Sequence, residues 1–520
     1  MNWDQPYTAA RSPVCAANVV ATSQPLATQA GVDALRRGGN AVDAALATAI
    51  TLTVVEPNNN GLGSDAFAIV WDGRSLTGLN ASGRAPARMT RERYAGRTRM
   101  PNRGWEAVTV PGAVSAWVAL SERFGRLPFA DLFDAAIGYA ADGFQVGPKT
   151  AYYWRLAEQV YADFPDFAEH FLPAPAAGER FRRPDLAKSL ERIAASRGAD
   201  FYEGELARRI AAAAEAAGGP LAASDLASHR ADWVTPIGQS YRAVTLHEIP
   251  PNGQGLAAQI ALAILAEDGP APFDDAAGVH RQIEAMKIAI RAAFEHFADP
   301  DVMRLSPESL LEPGSIARAA ASIRDNAAEP APVALPVGHD TVYLCAADSE
   351  GMMVSFIQSN YQGFGSGVVI PGTGIALQNR GYGFSLDPAH PNCVAPGKRP
   401  FHTIIPGFVT EDGAPKLAFG VMGGHMQHQG HVQMVQRIFD QGENPQAASD
   451  APRWHVFEDF SVGLERGFPE VVADGLRARG HRVRYVDEEH VFGGAQLILK
   501  TTGGYVAGSD HRKEGQAAGF

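Results

Sequence analysis

The sequence predicts an α+β fold on three observations. Helical patterns dominate before residue 326, β-like runs dominate after residue 340, and an unpatterned Pro/Ala-rich stretch, NAAEPAPVALPVG (326–338), separates them. With 520 residues, 46% hydrophobic and 20% charged, the chain has ordinary globular composition and ample length for a large buried core.

Taken in order, Pro25 to Arg37 reads as a helix, with Leu26, Ala30, Val32 and Leu35 apolar and Gly38-Gly39 as its stop. Asn40 suits an N-cap for AVDAALATAITLTVV. The Gly/Asn-rich loop PNNNGLGSDAF then runs into a strand from Ala66 to Trp71. ARRIAAAAEAAGG (207–219) joins strong helix formers to a glycine stop. HRQIEAMKIAIRAAFEHFADP (280–300) is amphipathic, with Ile283, Met286, Ile290, Ala293 and Phe297 on one stripe. The 326–338 stretch reads as an exposed linker. Beyond it, TVYLCAAD and MMVSFIQ read as two β segments around a Ser349-Glu350-Gly351 turn. VVIPG, HTIIPGFV and KLAFGVM are further β-like runs, while HVQMVQRIFDQG and PEVVADGLRARG return to helix.

Several function classes recede. A net charge of -12 offers no basic face to offset phosphate, which argues against a nucleic-acid partner. Cys15, Cys345 and Cys393 are far apart and odd in number, so neither a disulfide framework nor a CxxC metal pair follows. The start, MNWDQPYTAARSPVCAAN, has no basic segment followed by an apolar run, and no stretch of 18 apolar residues suggests a membrane span. A soluble cytoplasmic protein is expected, with its oligomeric state open and a homo-oligomer compatible. The glycines of NNNGLGSDAF and GFGSG do not fit a strand–GxGxxG–helix unit, so no dinucleotide and no other cofactor is expected.

Three elements suggest chemistry. Thr341 opens a strand directly after the linker. A threonine hydroxyl needs an adjacent base, and its own α-amino group, with a pKa near ~8, is the nearest one. Within the chain that nitrogen is an amide, so cutting Asp340–Thr341 would create nucleophile and base together. Most threonines at strand starts are only β-formers. Gly423-Gly424 closes a β-like run, where backbone N–H groups could face an oxyanion; a plain turn is the simpler reading. PGKRPFHT (396–403) is a basic turn. His425, His428 and His431 have a spacing that metal sites also use, but no cysteine or HExxH-type glutamate accompanies them, so structural histidines and no metal are expected.

The order of these pieces resembles the γ-glutamyltranspeptidase family of N-terminal-nucleophile hydrolases over nearly the whole chain. ATQAGVDALRRGGNAVDAALA is similar to its N-terminal helix pair and EPNNNGLGSDAF to its glycine loop; ASGRAPA, VPGAVSAW, IEAMKIA with FADPD, PGKRP and NPQAASDAPRW also match. The resemblance implies a four-layer αββα sandwich, made as a proenzyme and cut into a large chain (1–340) and a small chain (341–520). By position, Thr341 falls on the catalytic threonine, Ser359 on a hydroxyl residue contacting its amino group, and Gly423 and Gly424 on the oxyanion-hole glycines. His402 and Thr403 fall on two hydroxyl residues that hold the substrate carboxylate, and only Thr403 keeps that chemistry.

The departures point to a different substrate. Val342-Tyr343 stands where the family usually has Thr-His, and Tyr361 replaces an asparagine. The arginine before the Ala-Pro-Ala turn falls at Ser82, with Arg84 two residues on. The glutamine and aspartate that grip a glutamyl amino group fall at Arg380 and Gly383, and the lid between Phe384 and Pro396 is short. An ammonium group wants a carboxylate, and this region offers guanidinium. The pattern is similar to the family's non-glutamyl branch, with oxamate amidohydrolase-like and cephalosporin-acylase-like enzymes. The expected substrate is a small amide bearing a carboxylate, such as oxamate, with Arg84 and Arg380 either holding that carboxylate or forming structural ion pairs. The competing readings are a true γ-glutamyltransferase or glutathione hydrolase with a rearranged pocket, and an inactive scaffold. Thr341, Ser359 and Gly423-Gly424 together argue against the scaffold.

Overall fold

The computed structural model describes residues 11–267, 269, 274–331, 333 and 340–520. Two antiparallel sheets of seven strands each form its centre. The first runs Gln516–Gly519, Val19–Thr22, Asp340–Ala347, Met353–Tyr361, Asp65–Trp71, Leu76–Ala81, Asp232–Val234. The second runs Val14–Ala16, Gly504–Ser509, Gly494–Thr501, Ala414–Met422, Gly407–Glu411, Val244–Glu248, Ile237–Tyr241.

Three apolar clusters give the layer order. Phe67, Ile69, Tyr343, Ile357, Phe408, Ala418 and Ile498, drawn from both sheets, pack between them. The other face of the first sheet packs Ala66, Val342 and Phe356 against Leu46 and Ile50 of the helix Ala41–Val55. The second sheet turns Leu246, Leu417 and Leu497 toward the helices Gly255–Ala266, Ala276–His296 and Met426–Phe439. Each central strand alternates its side chains between two dry faces, which is why these strands read as unbroken apolar runs. The result is an α+β sandwich of helix, sheet, sheet and helix layers.

The predicted elements fall close to their observed bounds. The first helix is Pro25–Arg36, and Asn40 caps Ala41–Val55 in a capping box with Asp43. The remaining helices lie at Glu205–Ala216, Ala276–His296, Met426–Phe439 and Glu470–Ala478. The predicted hairpin is Asp340–Ala347 against Met353–Tyr361. HTIIPGFV is corrected: strand begins only at Gly407, because His402 to Ile405 turns inward to serve the site. The helix-first, strand-second reading also changes, since half the strands of the two sheets precede Asp340 and flank the hairpin that follows it. Residues 1–340 and 341–520 are therefore interleaved in space.

Much of the 326–338 stretch lies outside the described residues. Its described part is unpatterned, as expected, but it is tied down. The Ala327 N–H donates to the Arg479 carbonyl (2.7 Å), the Ala328 carbonyl accepts from Lys287 Nζ (2.9 Å), and the buried Val333 donates its N–H to the Glu458 carbonyl (3.0 Å).

Candidate active site

The hairpin that carries Thr341 is irregular where it starts. Asp340 pairs with Tyr361 and Val342 with Gln358, so Ser359 and Asn360 together oppose Thr341. Such a bulge leaves the ladder and re-aims a side chain. Thr341, only 1% exposed, donates its hydroxyl to Ser359 Oγ at 3.1 Å. Ser359 Oγ also accepts the Tyr361 N–H at 2.7 Å. Tyr361 has φ 82°, a left-handed conformation costly for an aromatic residue, which bends the strand end around this hydroxyl pair.

Gly423 and Gly424 form the turn between the strand Ala414–Met422 and the helix Met426–Phe439. Gly423 has φ 121°, which suits glycine alone, and a Cβ there would lie 2.9 Å from Gly493 Cα; Gly424, at φ 56°, is left-handed, a conformation glycine adopts most easily. Among the described residues neither glycine N–H has a backbone acceptor. Two unspent donors at a helix N-terminus are what an oxyanion requires.

Arg380 is the largest charge in the site. It is 1% exposed, lies 4.5 Å over the Tyr361 ring and donates Nη1 to Thr403 Oγ1 at 2.8 Å. Its Nε and Nη2 are buried with no hydrogen-bond partner, and no carboxylate pairs with it among the described residues. Burial lowers its pKa to about 10, opposed by the field of Asp65, so it stays a cation at neutral pH. Gly383 offers no anion, and its neighbour Tyr382 leans toward Tyr361.

The other positions expected to bind substrate have different partners. Arg84 is half-exposed and reaches Asp232 and Asp299, each at 3.5 Å, which is the ion-pair alternative. Ser82 bonds Asn80. His402 is wholly buried, its Nε2 lies 3.1 Å from Asp65 Oδ2, and burial with the nearby Arg380 and Arg399 holds its pKa far down. Asp65 also accepts N–H bonds from Gly83 and Gly112, yet burial pushes its carboxyl up to about 7. Thr403 Oγ1 accepts from Arg380 Nη1, which leaves its O–H proton to donate elsewhere.

Sequence reasoning missed Gln254, the hub of the site. Its Nε2 donates to the carbonyls of Thr403 (2.6 Å) and Gly424 (2.9 Å), and its Oε1 faces His428 Nδ1 at 2.9 Å. The sequence signal was an amide placed just before the apolar helix GLAAQIALAILA. His428 and His431 do not converge on a common point: His431 Nδ1 meets Glu248 at 2.6 Å instead. Elsewhere His280, Glu284 and His481 have metal-like spacing, but the Lys287 ammonium donates to Glu284 at 2.8 Å, placing a cation there already.

Two cavities flank the stacked rings of Phe401 and His425 (6.0 Å, 16°). The smaller, about 150 Å³, is lined by Tyr382, Gly383 and Phe401. The larger, about 650 Å³, starts at His425 and runs past His428, His455, Phe457 and Glu458.

The gamma-glutamyltranspeptidase family model matches residues 27–520. The chain is 36% identical to the "Glutathione hydrolase-like YwrD proenzyme" of Bacillus subtilis, over 96% of this chain and 98% of that protein. It is 39% identical to the "Oxamate amidohydrolase proenzyme" of Klebsiella pneumoniae, over 95% and 97%. Among solved structures, a cephalosporin acylase from Bacillus halodurans superposes with a TM-score of 0.96 at 47% identity, covering 100% of this chain and 99% of that one. The chain belongs to the gamma-glutamyltranspeptidase family and is an enzyme of its amidohydrolase and acyltransferase class.

Proposed function

We propose that the chain is a proenzyme that cuts itself between Asp340 and Thr341, and that Thr341 then attacks the amide of a small carboxylate-bearing acyl group such as oxamate. Cleavage frees the Thr341 α-amine, which takes the hydroxyl proton as Oγ attacks the carbonyl carbon. The tetrahedral oxyanion is held by the N–H groups of Gly423 and Gly424, and Ser359 steadies the threonine. Collapse expels the amine, which takes a proton; water then releases the acyl group from Thr341.

The observation that carries the substrate reading is Arg380. A buried guanidinium with two unspent N–H groups matches a carboxylate and repels the ammonium of a γ-glutamyl donor. Similarity to an oxamate amidohydrolase proenzyme supports the same choice. The test compares kcat/KM for oxamate and γ-glutamyl-p-nitroanilide. Efficient turnover of the glutamyl compound with no activity on oxamate would return the chain to the glutathione-hydrolase branch.

A further inference from the structure

Arg380, Thr403, Gln254 and Gly424 are joined by a chain of short contacts, and Gln254 is the link at its middle. The Arg380 guanidinium donates to Thr403 Oγ1 at 2.8 Å. The Thr403 carbonyl accepts Gln254 Nε2 at 2.6 Å, and the same Nε2 donates to the Gly424 carbonyl at 2.9 Å. The backbone N–H of Gln254 also donates to the His402 carbonyl at 3.0 Å. One wholly buried amide therefore stands between the cation that suits a carboxylate and the turn that suits an oxyanion.

The orientation of that amide is determined. Both partners of Nε2 are carbonyl oxygens, so that atom is the NH₂ group and both its N–H bonds are used. Oε1 then accepts from His428 Nδ1 at 2.9 Å, and His428 lies in the helix Met426–Phe439 that follows the turn. Within the turn, the Gly423 carbonyl accepts the Met426 N–H at 2.9 Å. A peptide unit is planar and trans, so holding that carbonyl also aims the Gly424 N–H away from the helix. The Gly424 carbonyl is the atom by which Gln254 ties this turn to Thr403. A second tie, from the Ile405 N–H to Gln427 Oε1 at 3.1 Å, joins the same segment to the same helix further along. Loss of the Gln254 amide should therefore loosen the spacing without dismantling the turn.

We propose that Gln254 is a positioning residue that sets acyl-chain length, by holding Arg380 and the Gly423-Gly424 turn at one spacing. The proposal rests on the assignment of Arg380 to the acyl carboxylate. A substrate must then place its carboxylate on the guanidinium and its carbonyl oxygen on the turn at once. An extra methylene between the two moves the carboxylate by more than about 1 Å, a misplacement worth roughly 10²-fold in rate.

The experiment measures kcat/KM for ammonia release from oxamate, malonamate and succinamate by the mature two-chain enzyme. Wild type should prefer one length, oxamate on the reading above, by roughly 10²-fold. Gln254→Met keeps the volume but neither donor; its preference should shrink to less than about tenfold, with oxamate kcat/KM down by roughly 10–10²-fold. His428→Asn keeps an N–H for Gln254 Oε1 and should hold the wild-type preference, whereas His428→Leu should lose part of it. The preference is a ratio within one preparation, so a merely structural role would lower all three rates alike and leave it unmoved. Indifference to length in wild type, or an unchanged preference in Gln254→Met, would overturn the proposal. Where Gln254→Met yields no mature enzyme, the same comparison in His428→Leu decides. Turnover of none of the three amides by wild type would instead sink the carboxylate reading, and this proposal with it.

Discussion

Replacing Arg380 by methionine separates a substrate-binding arginine from a structural one, because the two roles predict opposite stability changes. The side chain is buried, makes one bond to Thr403, and among the described residues has no ion pair and no partner for Nε and Nη2, although the field of Asp65 reaches it. Burial brings its pKa below the usual arginine range, to about 10, so the fold disfavours the cation at every pH below that value. Removing an uncompensated buried charge should be neutral or stabilising by about 1–3 kcal/mol. Activity should move the other way. Two charge-assisted bonds to a carboxylate, at about 1.5–3 kcal/mol each, come to about 3–6 kcal/mol. At ~1.36 kcal/mol per decade that is roughly a 10²–10⁴-fold loss in kcat/KM for oxamate. Arg380→Lys keeps the charge but not the fork, and should fall between wild type and Arg380→Met. The assays are thermal unfolding of the mature enzyme and initial rates of ammonia release. A clear fall in Tm with kcat/KM within about threefold of wild type would refute the argument and make Arg380 a packing element.

Thr341→Ala should give a single full-length chain by intact mass and no turnover, whereas Thr341→Ser should retain some of both; active enzyme that is uncut would exclude the scheme. Gly424→Val should lower kcat by roughly 10²–10³ with two chains still present in preparations that mature. A kcat within a small factor of wild type would remove the oxyanion assignment. Asp65 titrates near 7 when folded and at 3.8 in its ordinary state, so between those values only the folded chain holds the proton. Its contribution to stability therefore falls as pH rises through that window and is level above it. Asp65→Asn should flatten that segment of Tm against pH; parallel curves for the two proteins would contradict the assignment.

How far the sequence could be read depended on whether the signal was local or assembled. The Asn40 capping box, the glycine stop after Arg36 and the Ser349-Glu350-Gly351 turn are written within a few residues, and each appears where expected. The Gly423-Gly424 turn is equally local, because φ 121° at Gly423 is open to glycine alone. The interleaving of the two halves was not legible, since strand partners separated by hundreds of residues leave no periodic trace. Val20 pairs with Ala346, for instance, and nothing near either announces the other. Arg380 shows the same limit in the site itself. Its type and position suggested a carboxylate, but Arg84 suggested one equally well. What divides them is the surrounding charge: Asp232 and Asp299 reach Arg84, while no carboxylate pairs with Arg380 among the described residues. Gln254 is the extreme case. It lies 149 residues from Thr403, 170 from Gly424 and 174 from His428, yet it touches all three. Through it the arginine's anchor, the Gly423-Gly424 turn and the orientation of His428 share one amide. A residue whose role is to join distant parts has no local pattern, and only the folded chain reveals it.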